Sequence, residues 1–199
     1  MTPARLRGLL LGATALLAGL VLLAWSQPWF TLSLVATSGD PAPLEVRGDV
    51  AASALVPLAL TVLAVVAALA LAGPVLRTVF GVLEALVGVC IVLVTAVALG
   101  DPVSASAAAV TDVTGVAGTE SVAELVTDVE VSAWPAVAIA FGVLVALVGV
   151  VVAATARRWP VSGRKYSRTR TEAVGEAASD PVAEWDALSE GDDPTSPSR

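Results

Sequence analysis

Histidine is absent from the chain. With it go the imidazole bases, the histidine metal ligands and the Ser/His and Cys/His nucleophile pairs. There is one cysteine, Cys90, inside an apolar run. It excludes an intramolecular disulfide and a cysteine-cluster metal site, and it reads as a small apolar residue of a helix face. Charged side chains are scarce, 15% of 199 residues, where a soluble domain carries about 25%. The formal net charge of -7 argues against nucleic acid as a partner.

What the chain has in place of charge is long apolar runs. Ser53 to Leu99 holds two of them, parted only by Gly73-Pro74. Each is about 20 residues, the length that crosses a ~30 Å hydrocarbon core at 1.5 Å per residue. The pair reads as a transmembrane helical hairpin. A further run at 8–25 follows Arg5 and Arg7, as a signal peptide would. Its end is Leu22-Leu23-Ala24, with large residues where cleavage wants small ones, so it reads as an uncleaved first span. A last run follows Trp134-Pro135. The expected fold is an all-α membrane protein, a four-transmembrane-helix bundle with spans at 8–25, 52–72, 78–99 and 136–156. Residues 1–170 form the membrane domain on this reading. Residues 171–199, with eight acidic residues and one base, form a disordered acidic tail.

Three of the spans carry small residues at helical spacing. Gly8, Gly12, Ala15 and Gly19 mark the first, and Gly81, Ala85 and Gly88 the third. Ala138, Gly142, Ala146, Gly149 and Ala153 mark the fourth. Such stripes let helix backbones approach closely in lipid.

The polar segments between spans have their own patterns. Phe30, Leu32 and Leu34 alternate with Thr31 and Ser33, and Leu44-Glu45-Val46-Arg47 alternates again across a Ser38-Gly39-Asp40-Pro41 turn. A small extracytoplasmic β-hairpin is expected there. In the second loop, Ser121-x-x-Glu124 has capping-box spacing, and Val122, Leu125, Val126 and Val129 follow at helical intervals. A short amphipathic helix over 121–131 is expected. Its acidic residues show no metal-loop pattern.

Lysine and arginine set the orientation. Arg5, Arg7, Arg77 and six residues after the fourth span, nine in all, fall on one side of the four-span arrangement, and Arg47 alone falls on the other. The positive-inside rule places both termini in the cytoplasm and the protein in the plasma membrane. The basic segments would also attract anionic headgroups.

Chemistry-bearing residues are few. Glu84 is the one acidic residue inside a span. An ionisable group there is costly and marks a proton or substrate contact, unless it reaches the near interface or pairs with Arg77, about 10 Å away along the helix. Arg158, Trp159 and Tyr166 lie in the basic-aromatic stretch that follows the last span. Trp159 is expected at the inner interface, Pro160 stops the helix, and the cluster holds the chain at the headgroups or docks a partner. No catalytic, cofactor-binding or metal-binding residue is assigned, and no cofactor is implied.

Taken together, Trp25 and Trp29, Gly48-Asp49, Ala51-Ala52, Trp134-Pro135 and the stretch from Ala156 to Arg168 resemble the actinobacterial tryptophan biosynthesis-associated (trp operon-associated) membrane proteins. The resemblance runs from Arg5 to Tyr166, and the acidic tail beyond Arg170 departs from it. It carries no catalytic residue over. It implies a link to tryptophan biosynthesis, and the lack of polar residues in the spans, the basic-aromatic segment and the long tail point to a non-enzymatic accessory or partner-binding protein of the lipid bilayer, with a protein partner held through the cytoplasmic basic segment or the tail. Self-association as a homo-oligomer fits the same picture. The alternative is a small transporter, or transport subunit, for tryptophan or a related metabolite, with Glu84 as its coupling carboxylate.

Overall fold

Proline sets the start of two of the long helices. α4 (Pro74–Gly100) and α8 (Trp134–Thr155) each have a proline in their first positions, where its missing N–H is no loss. α1 (Pro3–Trp25) and α3 (Leu55–Leu71) complete the set of long helices. The structure, a computed structural model, describes residues 3–35, 43–156 and 159. All of these belong to the first of two units, which ends at Pro160.

α1, α4 and α8 are each long and apolar enough to cross a membrane. α3 is apolar but has 17 residues, about 26 Å of helix. The expected second span is therefore shortened at its start. The chain forms a one-turn helix, α2 (Gly48–Ala51), and unwinds over 52–54 before α3 begins. The four long helices pack in a closed ring: α4 on α8, α8 on α1, α1 on α3 and α3 on α4. α1 and α4 thus face each other diagonally, and so do α3 and α8.

The closest contact in the ring is α4 on α8. A Cβ added to Gly81 would stand 2.6 Å from Ala153 N and 2.9 Å from Gly149 O. One added to Gly88 would strike Ala146 and Gly142. Only hydrogen fits between these backbones, so the two small-residue stripes read from the sequence form one seam. The α1 stripe behaves otherwise: a Cβ at Gly8, Gly12 or Gly19 would meet nothing within 4 Å. α1 buries the opposite face, with Thr14, Leu17, Ala18, Val21 and Ala24.

At the end of the bundle away from the 73–74 turn, β1 (Pro28–Leu34) pairs antiparallel with β2 (Leu44–Arg47) on one side and with β3 (Val126–Val131) on the other. Phe30 stands opposite both Val46 and Val131, and Leu32 opposite both Leu44 and Val129. The strands that the alternation marks are joined by a third, and the three-stranded sheet is the unit. Trp29, Phe30, Leu32 and Val46 are buried beneath it. Trp29 Nε1 donates to Ala24 O at 2.8 Å, locking the sheet to the end of α1. Gly48 lies against the Trp29 ring and Trp25 O, so close that a Cβ there would sit 2.6 Å from that oxygen.

The second loop forms three short helices before β3: α5 (Pro102–Ala105), α6 (Ala107–Thr114) and α7 (Thr119–Leu125). Asp101 starts α5, its Oδ1 accepting from Ser104 N at 3.0 Å. The helix expected over 121–131 is corrected on two counts. α7 starts at Thr119 after Gly118, without a side-chain cap, and stops at Leu125. The remainder, rich in β-branched residues, is strand β3, which satisfies the free edge of β1.

Candidate functional site

The inward stripe of α4 is Arg77, Gly81, Glu84, Val87, Gly88, Ile91, Thr95 and Ala98, spaced alternately by about three and four residues. The period that puts the glycines against α8 also carries Glu84 into the centre of the bundle, where it is 0% exposed. It therefore does not reach the near interface. Its Oε1 lies 2.8 Å from the hydroxyl of Thr14 on α1. Thr14 Oγ1 also lies 2.9 Å from Leu10 O, one turn back along its own helix. Glu84 Oε2 is buried and has no hydrogen-bond partner. The partner of Glu84 is thus a threonine on the diagonally opposite helix, not Arg77. Thr14 is the residue that sequence reading missed. It is the one hydroxyl between Gly8 and Trp25, a signal that points to position 14 without saying what it meets.

A second cluster closes the bundle at the 73–74 end. Arg77 is 4% exposed, and its guanidinium carbon lies 5.6 Å from the centroid of the Trp159 ring, a cation–π distance. Trp159 is 2% exposed, packs with Val65, Leu69 and Val152, and donates from Nε1 to Thr155 Oγ1 at 3.3 Å. Trp159, expected at the inner interface or in docking, is packed against the end of the bundle. Pro160 follows at once, but the chain has already turned the indole back over the ends of α3, α4 and α8, where its apolar area is covered. Nearby, an Arg7 guanidinium N–H donates to Ala70 O and ties α1 to α3. Arg158 and Tyr166, the other two candidates, lie outside the described residues. So does the tail beyond 170.

The structure brings together Glu84 with Thr14, and Trp159 with Arg77; the two clusters are separate groups on α4. Among the described residues no three His, Cys, Asp or Glu side chains come together as metal ligands. Cys90 is exposed on the outer face of α4, as a small apolar residue would be. A cavity of about 510 Å³ opens at the sheet end between residues 51–54, the end of α4 and α5, with Asp101, Ser53 and Ser104 at its polar side. Asp101 is already engaged there in starting α5.

No curated protein and no solved structure matches the chain. A family model described as "Tryptophan-associated transmembrane protein" matches residues 11–195. The match takes in the acidic tail, which the resemblance read from motifs had left outside. It takes in most of α1, the whole of α4 and α8, the glycine seam and the buried Glu84. The chain belongs to the tryptophan-associated transmembrane protein family.

Proposed function

We propose that the protein is a non-enzymatic, four-span plasma-membrane protein with both termini in the cytoplasm, which holds a protein partner through the segment after α8. The partner belongs to aromatic amino acid metabolism, in keeping with the family. α3 counts as the fourth span on this reading because it closes the helix ring and because Arg77, beside its exit turn, falls with the cytoplasmic bases. The observation that carries the proposal is the packing of the bundle. α4 and α8 meet backbone to backbone along the seam of Gly81, Gly88, Gly142 and Gly149, and among the described residues the buried hydroxyls of the long helices, Thr14 and Thr95, are hydrogen-bonded within the bundle. Such an interior offers little to recognise the ammonium and carboxylate of an amino acid. With Trp159 folded inward, docking falls to Arg158, Tyr166 and the cations between them.

The test has two arms. Photo-crosslinking from positions 158 and 166 in intact cells is expected to trap one discrete protein, and Arg158→Ala with Tyr166→Ala is expected to abolish the adduct. Labelled tryptophan uptake and efflux is expected to be the same in matched cells with and without the protein. The buried carboxyl favours a second reading, transport coupled through Glu84. A change in initial tryptophan flux that is lost in Glu84→Gln would establish that reading in place of the first.

A further inference from the structure

The Thr14 hydroxyl has one hydrogen and two oxygen neighbours, Leu10 O at 2.9 Å and Glu84 Oε1 at 2.8 Å. Both are hydrogen-bond distances, and a hydroxyl donates once. Either that single hydrogen is split between the two acceptors, which weakens both bonds, or a second hydrogen is present. Leu10 O is a carbonyl oxygen and has none to give, so two full bonds require that hydrogen from Glu84. We infer that Glu84 is a proton-binding site: its carboxyl Oε1–H donates to Thr14 Oγ1, Thr14 donates to Leu10 O, and the bound proton ties α1 to α4 across the bundle centre.

The other carboxyl oxygen supports this independently. Glu84 Oε2 is buried without a hydrogen-bond partner. As the carbonyl oxygen of a neutral acid it forgoes one modest bond. As half of a carboxylate it would hold charge in an apolar interior with no donor facing it, which is far more costly. The elements around it supply no cation at that level. α3 and α8 carry no Asp, Glu, Lys or Arg along their described lengths. α1 has Arg5 and Arg7 only in its first turns, and Arg77 lies two helical turns away on α4 itself. Among the described residues, Thr14 is the group with a polar hydrogen in contact with the carboxyl.

The arrangement also has a second state. If the proton leaves, Thr14 turns its hydrogen from Leu10 O to Glu84 Oε1, and Oε2 becomes a charged oxygen in need of water. α1 and α4 stand diagonally in the ring, and the Thr14–Glu84 bond joins them across its centre. Proton loss therefore changes the hold of α1 on α4 and leaves the glycine seam with α8 untouched. The inference does not depend on the partner-binding proposal.

The test is infrared difference spectroscopy of the full-length protein in lipid vesicles at neutral pH. Subtracting the Glu84→Gln spectrum from the wild type is expected to leave the carbonyl stretch of one protonated carboxyl. In Thr14→Val that band is expected to move to higher frequency, because its hydrogen-bond acceptor is gone. In Thr14→Ser it is expected to keep its wild-type position. A difference spectrum that shows lost carboxylate bands and no protonated-carboxyl band overturns the inference, and so does a band that Thr14→Val leaves in place. If Glu84→Gln fails to assemble, the comparison of Thr14→Val with Thr14→Ser decides alone.

Discussion

Two stripes of small residues look alike in the sequence and are used in different ways. On α4, Gly81 and Gly88 touch the backbone of α8. On α1, a Cβ at Gly8, Gly12 or Gly19 would meet nothing within 4 Å among the described residues. The helix α1 turns its other face inward and buries Thr14, Leu17, Ala18, Val21 and Ala24. A small-residue stripe tells how near another helix can come. It does not tell whether the chain supplies that helix. In α4 the choice is forced by Glu84, which shares the inward face with Gly81 and Gly88, so that burying the carboxyl also buries the glycines. In α1 the one hydroxyl, Thr14, lies on the face away from the glycines and draws that face inward. The polar residue, rather than the stripe, decides which side of each helix meets the core.

The sharpest way to break the contrast is Gly88→Leu. Its side chain has no room against Ala146 and Gly142, whose backbone cannot retreat without opening the α4–α8 seam. A loss of about 3 kcal/mol or more is expected, the upper range for overpacking. In detergent titrations followed by circular dichroism, the variant should unfold far earlier than the wild type. An unchanged midpoint would mean that the seam is not the main contact of the bundle. Trp159→Ala comes next. It removes the large side chain that covers the ends of α3, α4 and α8 nearest the 73–74 turn and its contact with Arg77, at a cost of about 3 kcal/mol. It should leave the seam itself intact, so a double variant with Gly88→Leu should add nearly independently. Gly48→Ala comes third, at about 1–3 kcal/mol, because its single Cβ meets both Trp25 O and the Trp29 ring. The readout is tryptophan fluorescence, which should shift before helix content falls.

Much of the bundle was legible because its signals are local. The apolar runs, Pro74, Pro135 and the seam of Gly81, Gly88, Gly142 and Gly149 can each be read within one helix. What could not be read depended on residues far apart in the chain. Thr14 and Glu84 are 70 residues apart, and their meeting requires a ring in which α1 and α4 stand diagonally. Val126 to Val131 fits the helical period as well as it fits a strand. The free edge of β1, some 94 residues earlier, makes it a strand, as in the bond from Thr127 Oγ1 to Ser33 O. α3 begins three residues later than the apolar run because Gly48 must stay under Trp29, which fixes where α2 ends and leaves 52–54 to turn. The partner of Trp159 was hidden for a similar reason. A tryptophan beside arginines suggests an interface, but the arginine it meets is Arg77, on another helix.

The smallest effect is also the most discriminating, because it has the opposite sign. Gly12→Ala and Gly88→Ala make the same chemical change in the middle of two helices. At Gly88 the new methyl strikes α8, and stability should fall by about 1–3 kcal/mol. At Gly12 it enters open space, so the packing cost is absent. What remains is the intrinsic preference of a helix for alanine over glycine, up to about 1 kcal/mol in favour of the variant. Parallel unfolding titrations at low protein-to-lipid ratio should therefore move the two midpoints in opposite directions. A fall at Gly12 that grows with protein concentration would show a second copy occupying the α1 stripe, because only association between chains depends on concentration. A fall that is independent of concentration would instead place another part of the chain there, and the contrast between the two stripes would be lost.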